Sequence, residues 1–103
     1  MRLMTLASWF KRATFDPPFV VTTKLDHSGR VFYVRMESTE EKTIRFRFFD
    51  TPTGVHVFKK IGDHKFEEQM LEKNVSEIID FLESDLKVVH LEKDNEVQSL
   101  IPA

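Results

Sequence analysis

Two stretches of this chain alternate cationic or aromatic side chains with apolar ones, a spacing suited to binding. Residues 31–36 read Val-Phe-Tyr-Val-Arg-Met, and residues 44–49 read Ile-Arg-Phe-Arg-Phe-Phe. Because successive side chains of a β-strand point to opposite faces, each stretch predicts one apolar face and one face of rings and cations. A face of this second kind could stack bases on its rings and neutralise phosphates with its cations.

The candidate binding residues are those that this alternation places on the polar face of a predicted sheet. They are Tyr33, Arg35, Arg45, Arg47, Phe49, Phe58 and Lys60. We expect two cross-strand rows on this outer face, one of Thr22, Tyr33, Arg47 and Phe58 and one of Val20, Arg35, Arg45 and Lys60. Two other interpretations remain open: an ordinary solvated sheet surface, or a face covered by the N-terminal segment through Trp9 and Phe10.

Four strands are predicted at residues 19–25, 30–37, 43–49 and 55–61. Asp26-His27-Ser28-Gly29 and Thr51-Pro52-Thr53-Gly54 between them are typical of turns. Opposing the apolar faces of the second and third strands places Phe32 opposite Phe48, Val34 opposite Phe46 and Met36 opposite Ile44. The pattern therefore predicts an antiparallel meander with one buried side.

A helix is predicted over residues 63–85, with Asp63 as its N-cap and acidic residues in its first turn. Its apolar positions include Phe66, Met70, Ile78 and Leu82, at helical spacing. Asn74-Val75-Ser76-Glu77 resembles a capping box, so a short helix followed by a longer one from residue 75 is the alternative.

The two ends of the chain are less regular. Residues 1–15 are basic and contain no acid, and they predict a short helix that packs on the domain through Trp9 and Phe10. A cleaved organellar presequence or a membrane-surface helix fits the same composition, whereas a signal peptide is disfavoured. Residues 86–101 predict a weak strand or hairpin.

Together these elements predict one α+β domain over residues 1–103. Its four-stranded antiparallel meander would be packed on one face by the helix of residues 63–85. The expected core comprises Phe19, Val21, Phe32, Val34, Met36, Ile44, Phe46, Phe48, Val57, Phe66, Met70, Ile78, Ile79 and Leu82.

Composition excludes several kinds of chemistry. The chain has no cysteine, so disulfides, thiol nucleophiles and cysteine-ligated metals are ruled out, and an intracellular, cytoplasmic protein is favoured. Its four histidines share no ligand spacing, and no nucleophile or glycine-rich phosphate motif is present. We therefore expect no catalytic residues, no metal and no cofactor. No apolar run approaches the about 18 residues of a membrane span.

Charge is divided between the two parts of the chain. Residues 1–61 contain eleven Lys and Arg against six Asp and Glu, whereas residues 62–103 contain four against eleven. Three functions are considered, and the first is favoured mainly because no catalytic motif is present. The first is a non-enzymatic protein-interaction or regulatory module that acts through the outer face or an edge strand, with a protein partner of unknown identity or as a homodimer. The second is a binder of single-stranded DNA or RNA; the third, an enzyme, has least support.

Overall fold

The computed structural model describes residues 2–40 and 42–93, and over these residues the protein is α+β with two helices and mostly antiparallel strands. The helices are α1 (Arg2–Arg12) and α2 (Val75–Asp85). The strands are β1 (Ala13–Phe15), β2 (Val20–Leu25), β3 (Val31–Glu37), β4 (Ile44–Thr51), β5 (Gly54–Ile61), β6 (Glu67–Lys73) and β7 (Val88–Leu91).

Strands β2 to β6 form an antiparallel meander in chain order, five strands among the described residues. The four predicted strands correspond to β2 to β5, with bounds that differ by at most two residues. The predicted pairing of β3 with β4 is confirmed, since Phe32, Val34 and Met36 lie opposite Phe48, Phe46 and Ile44. Alternation of apolar and polar side chains was sufficient to set this register, because a slip of one residue would expose every buried ring.

The helix predicted over residues 63–85 is wrong in its first half. Residues Glu67–Lys73 form strand β6, which pairs with β5 and places Met70 opposite Val57. Glutamate and lysine favour helices locally, but this preference is weak and tertiary contacts override it. Here, pairing with β5 gives the segment its backbone hydrogen bonds and buries one side of Met70. Asp63 is not an N-cap; it lies in a turn closed by the His64 N–H, which donates to the Ile61 carbonyl at 3.1 Å.

Helix α2 begins where the predicted capping box indicated. The Asn74 side-chain oxygen accepts from the Glu77 N–H at 2.9 Å, and the Asn74 amide donates to the Glu77 carboxylate at 2.9 Å. These reciprocal bonds satisfy a backbone donor that the first turn would otherwise leave unpaired. The helix therefore begins at Val75, and the segment before its N-cap is extended up to residue 73.

Gly54 allows strands β5 and β6 to approach closely. A Cβ at Gly54 would lie 2.6 Å from the carbonyl carbon of Glu72, and its φ of +148° is one that side chains rarely adopt. Position 54, where the β4–β5 turn ends, therefore requires glycine for two independent reasons: the close approach of Glu72 and the positive φ. Glu72 itself has φ of +53°, and the β5–β6 register shifts nearby.

Both helices cover one face of the sheet, called the inner face here. Phe10 of α1 contacts three rings of this face, with centroid distances of 6.2 Å to Phe32, 6.2 Å to Phe46 and 5.9 Å to Phe48. These four residues are called the phenylalanine cluster. Ile78 and Leu82 of α2 complete the same core.

The core prediction is confirmed for most residues and wrong for one. Eight of the predicted residues are buried and five are half-buried against the core, whereas Phe66 lies on the opposite side of the sheet. The buried residues that it omitted come from the ends of elements and from α1. They are Leu3, Leu6, Trp9, Phe10, Phe15, Val55 and Leu86.

The terminal strand that was predicted within residues 86–101 is β7, and its partner is β1. The Asp16 N–H donates to the Lys87 carbonyl at 2.9 Å, and the Glu92 N–H donates to the Arg12 carbonyl at 3.0 Å. The part of the prediction beyond residue 93 lies outside the described residues. Within residues 2–40 and 42–93, no helix has the length and hydropathy needed to cross a membrane.

Replacing Phe48 with alanine should reduce the free energy of unfolding by about 3–5 kcal/mol, because the substitution opens a cavity inside the phenylalanine cluster. The neighbouring residue Phe49 lies on the outer face and is half-buried. Phe49→Ala is the matched control and should cost about 1 kcal/mol. Urea denaturation of both variants measures the difference, and equal losses would contradict the assignment of the two faces.

Candidate functional site

The outer face is the side of the meander that is turned away from both helices. Strand alternation places all seven candidate binding residues on it: Tyr33 and Arg35 from β3, Arg45, Arg47 and Phe49 from β4, and Phe58 and Lys60 from β5. Trp9 and Phe10 pack into the inner core, so α1 does not cover these residues. The interpretation in which the N-terminal segment covers the outer face is therefore wrong.

The cross-strand rows are as predicted over β3, β4 and β5, but β2 is displaced. Tyr33 lies opposite Arg47 and Arg47 opposite Phe58, while Arg45 lies between Arg35 and Lys60. On β2, Lys24 rather than Thr22 is opposite Tyr33, and Thr22 rather than Val20 is opposite Arg35. Because β2 is displaced by two residues, an even number, each of its side chains stays on its predicted face. The displacement brings Lys24 opposite Tyr33.

The geometry of the β2–β3 turn explains this displacement. The Asp26 N–H donates to the Val31 carbonyl at 3.0 Å, so the turn closes two residues later on β3 than predicted. The Asp26 carboxylate accepts from the Ser28 hydroxyl at 2.8 Å and from the N–H groups of Arg30 and Val31 at 3.3 Å each. The hydrogen bond from the Ser28 hydroxyl, and to a smaller degree those from the backbone N–H groups, stabilise the ionised carboxylate. They therefore lower the pKa of Asp26.

Phe66 is a residue of this face that the sequence pattern does not predict. It follows the β5–β6 turn, and the Arg47 guanidinium carbon lies 4.0 Å from its ring centroid. The Lys60 ammonium lies 5.8 Å from the same ring. Each contact of this kind contributes about 0.5–1 kcal/mol at an exposed site. The helical spacing of Phe66 and Met70 pointed to the core, and only the pairing of β6 with β5 reveals the actual position.

A groove of about 250 Å³ crosses the middle of the outer face. Its lining includes Lys24, Tyr33, Arg45, Arg47 and Phe66. A second groove of about 280 Å³ adjoins the β2–β3 turn and shares Lys24 and Tyr33 with the first. Tyr33 lines both grooves and is 37% exposed, so its ring can be reached from solvent.

The aromatic residues of the outer face differ in their availability. Phe49 and Phe58 are half-buried and contact each other edge to face, with centroids 5.5 Å apart. Phe66 is half-buried by its cations. Tyr33 is therefore the ring best placed to stack on a ligand, while the two paired phenylalanines form an apolar margin.

The cations of this face are poorly compensated. Arg45 lies directly opposite both Arg35 and Lys60, and like charges in such positions destabilise a sheet. Arg35 forms an exposed ion pair with Glu37 at 2.8 Å, a type of contact worth little. In the portion of the chain that the structure describes, no acid forms an ion pair with Lys24, Arg45, Arg47 or Lys60. A bound anion would relieve this repulsion.

The acidic residues lie beside or behind the cationic area. Glu68 of β6 is opposite Phe58 and bounds the outer face at that edge. Exposed Glu77, Asp80 and Glu83 belong to α2, which packs against the inner face. The overall charge of −2 therefore does not describe the local charge around Arg45.

No metal centre is formed by the residues between 2 and 93 that the structure describes, since no three histidine or acidic side chains lie close enough together. Comparisons of the chain with protein-family models, with curated proteins and with solved structures gave no match.

Replacing Arg45 with glutamine should raise the free energy of unfolding by about 0.2–1 kcal/mol at low ionic strength, because it removes two like-charge contacts. The gain should shrink in about 0.5 M NaCl, where charges are screened over a few ångströms. Lys24→Gln is the control, since Lys24 faces Tyr33 rather than a cation. Denaturation at two salt concentrations measures both effects; a loss of stability in Arg45→Gln that is largest at low salt would contradict uncompensated repulsion.

Proposed function

We propose that this protein is a non-enzymatic binding module whose outer face binds single-stranded nucleic acid. The observation that carries the proposal is the row of Arg35, Arg45 and Lys60, which lies across adjacent strands with little acidic compensation. Such a row stores electrostatic repulsion that phosphate groups would relieve.

The aromatic part of the site favours single strands over duplexes. Tyr33 lies opposite Arg47 and beside Lys24, so a base stacked on its ring would have its flanking phosphates within reach of cations. Stacking of this kind needs an unpaired base with a free face. The groove lined by Tyr33, Arg47 and Phe66 has a volume of about 250 Å³, enough for one unpaired base. A base that is stacked within a duplex has no free face to offer Tyr33.

The position of the acids supports the same proposal. Affinity for phosphates depends on local positive potential, and it is weakened by acids on the same surface. The exposed acids of α2 are separated from the outer face by the sheet and the core. Because the sequence contains no cysteine, we further propose an intracellular, cytoplasmic protein.

A protein-interaction module remains the second candidate function. It is favoured by the exposed edge of β2, where Val20 is 71% exposed and the strand has a neighbour on one side only among the described residues. Such an edge can accept a strand from another chain. The two functions use different surfaces, so each can be tested separately.

Titrating a fluorescent single-stranded oligonucleotide should show binding that weakens steeply with salt. The double substitution Arg45→Ala/Arg47→Ala should reduce affinity at least tenfold and lower the slope of log K against log salt by about 1.4, since each phosphate contact contributes about 0.7. Lys11→Ala/Lys87→Ala removes the same charge from exposed residues outside the meander and is the matched control. Absence of binding at low salt, or equal loss in both double variants, would contradict the proposal.

Replacing Tyr33 with alanine should weaken binding of the same oligonucleotide about 5- to 100-fold, because it removes a stacking surface. Tyr33→Phe retains the ring and should bind nearly as well as the parent. Both variants should keep the parent's unfolding midpoint within a few degrees, since Tyr33 is partly exposed. If the two variants bound equally, stacking on this ring would be excluded.

A further inference from the structure

Strand β2 has an edge that is unusually open. It ends the strand order β2-β3-β4-β5-β6, and its sequence Val-Val-Thr-Thr-Lys-Leu is rich in residues that favour strands. Five of its six residues are exposed. Edge strands are usually protected by several charges, proline or a bulge, but β2 has one lysine and pairs with β3 without a shift in register.

The backbone groups that face this open edge can be identified. The Asp26 N–H donates to the Val31 carbonyl at 3.0 Å, which makes this the first hydrogen-bonded pair of the β2–β3 ladder. In an antiparallel ladder such pairs alternate, so Thr22 and Lys24 also bond to β3. The N–H and C=O groups of Val21, Thr23 and Leu25 therefore point away from β3. Within the described residues no strand pairs with them.

We propose that β2 pairs antiparallel with β2 of a second copy of this chain, forming a two-fold dimer with Thr23 opposite Thr23. A two-fold axis perpendicular to the sheet keeps the outer faces of both copies on the same side. Thr23 at the axis places Val21 opposite Leu25 on the inner side, twice. It also places the single charge, Lys24, opposite Thr22, so that no like charges lie directly opposite each other.

The register centred on Thr23 is favoured over the one centred on Thr22. Centring the pair on Thr22 would keep the same faces together but would place Val20 opposite Lys24. It would also leave Leu25, which is 37% exposed, without Val21 as its apolar partner. Pairs of apolar residues on the same face stabilise neighbouring strands, so the Thr23 register gains more.

A second copy fits this edge for two reasons. The strand is complementary to itself, with equal length, an apolar pair that occurs twice and no opposed charge, and small oligomers favour such two-fold closure. Thr23 and Leu25 belong to the inner side yet are exposed, so the helices leave them free to receive a neighbour. The resulting sheet would carry the outer faces of both copies as one continuous surface.

Sedimentation of the full chain without nucleic acid tests the proposal independently of the proposed function. Two paired strands of six residues form an interface at the small end of the known range, so we expect a dissociation constant on the order of 1–100 µM. The parent should shift from monomer to dimer across that range. A protein that stays monomeric up to about 1 mM would overturn the proposal.

Amide hydrogen exchange identifies the surface that is used. On dilution through the transition, the Val21, Thr23 and Leu25 amides should lose protection at least tenfold. Those of Thr22 and Lys24 bond to β3 in both states and serve as the control within the same strand. A dimer in which all five amides exchange independently of concentration would overturn pairing through this edge.

Substitutions at Thr23 test the register. Thr23→Pro removes an N–H that faces the open edge, which an edge strand tolerates, and should abolish the dimer, while Thr23→Val should retain it. Thr23→Lys and Thr23→Glu should each be monomeric, because like charges would meet at the axis, and an equimolar mixture should restore dimers. If the mixture stayed monomeric, the Thr23 register would be wrong. If Thr23→Pro dimerised as the parent does, the edge would not be the interface.

Discussion

The contact of Phe10 with Phe32, Phe46 and Phe48 is the interaction on which the rest of the structure depends. It joins α1 to the adjacent strands β3 and β4, and all four rings are nearly inaccessible to solvent. Burying a ring of this size contributes about 1.5–3 kcal/mol. Because strand side chains alternate, holding these rings inside also holds the residues between them outside.

The core and the candidate site are therefore two consequences of one pattern. The cationic row on the outer face opposes folding by about 0.2–1 kcal/mol for each like-charge pair, whereas the phenylalanine cluster contributes several times more. The fold can thus tolerate a surface that would be unfavourable alone. A similar balance holds at Lys59, an inner-face lysine whose ammonium reaches the Asp85 carboxylate at 2.7 Å, at the end of α2. In both places the unfavourable free energy of a cation is offset, by the packed core for the outer-face row and by the Asp85 carboxylate for Lys59.

Much of this arrangement follows from local sequence. The alternation over residues 31–36 and 44–49 predicts the strands, the buried face and the β3–β4 pairing, and Asn74 with Glu77 marks the start of α2. Two predictions about the outer face are wrong, the register of β2 and the position of Phe66. Both arise where the local sequence constrains the structure least. The β2 register depends on which residue closes a turn, and Phe66 lies outside because Glu67–Lys73 pairs with β5 instead of coiling.

For strands β2 to β5, the sequence by itself determined which side chains share a face, since a period of two residues is a property of any extended chain. It could not determine which faces are covered. Only the tertiary structure placed Trp9 and Phe10 on the inner face, brought β1 to β7 and left β2 at an open edge. The physical reason is that these choices depend on contacts between residues far apart in the chain, whose energies exceed any local preference.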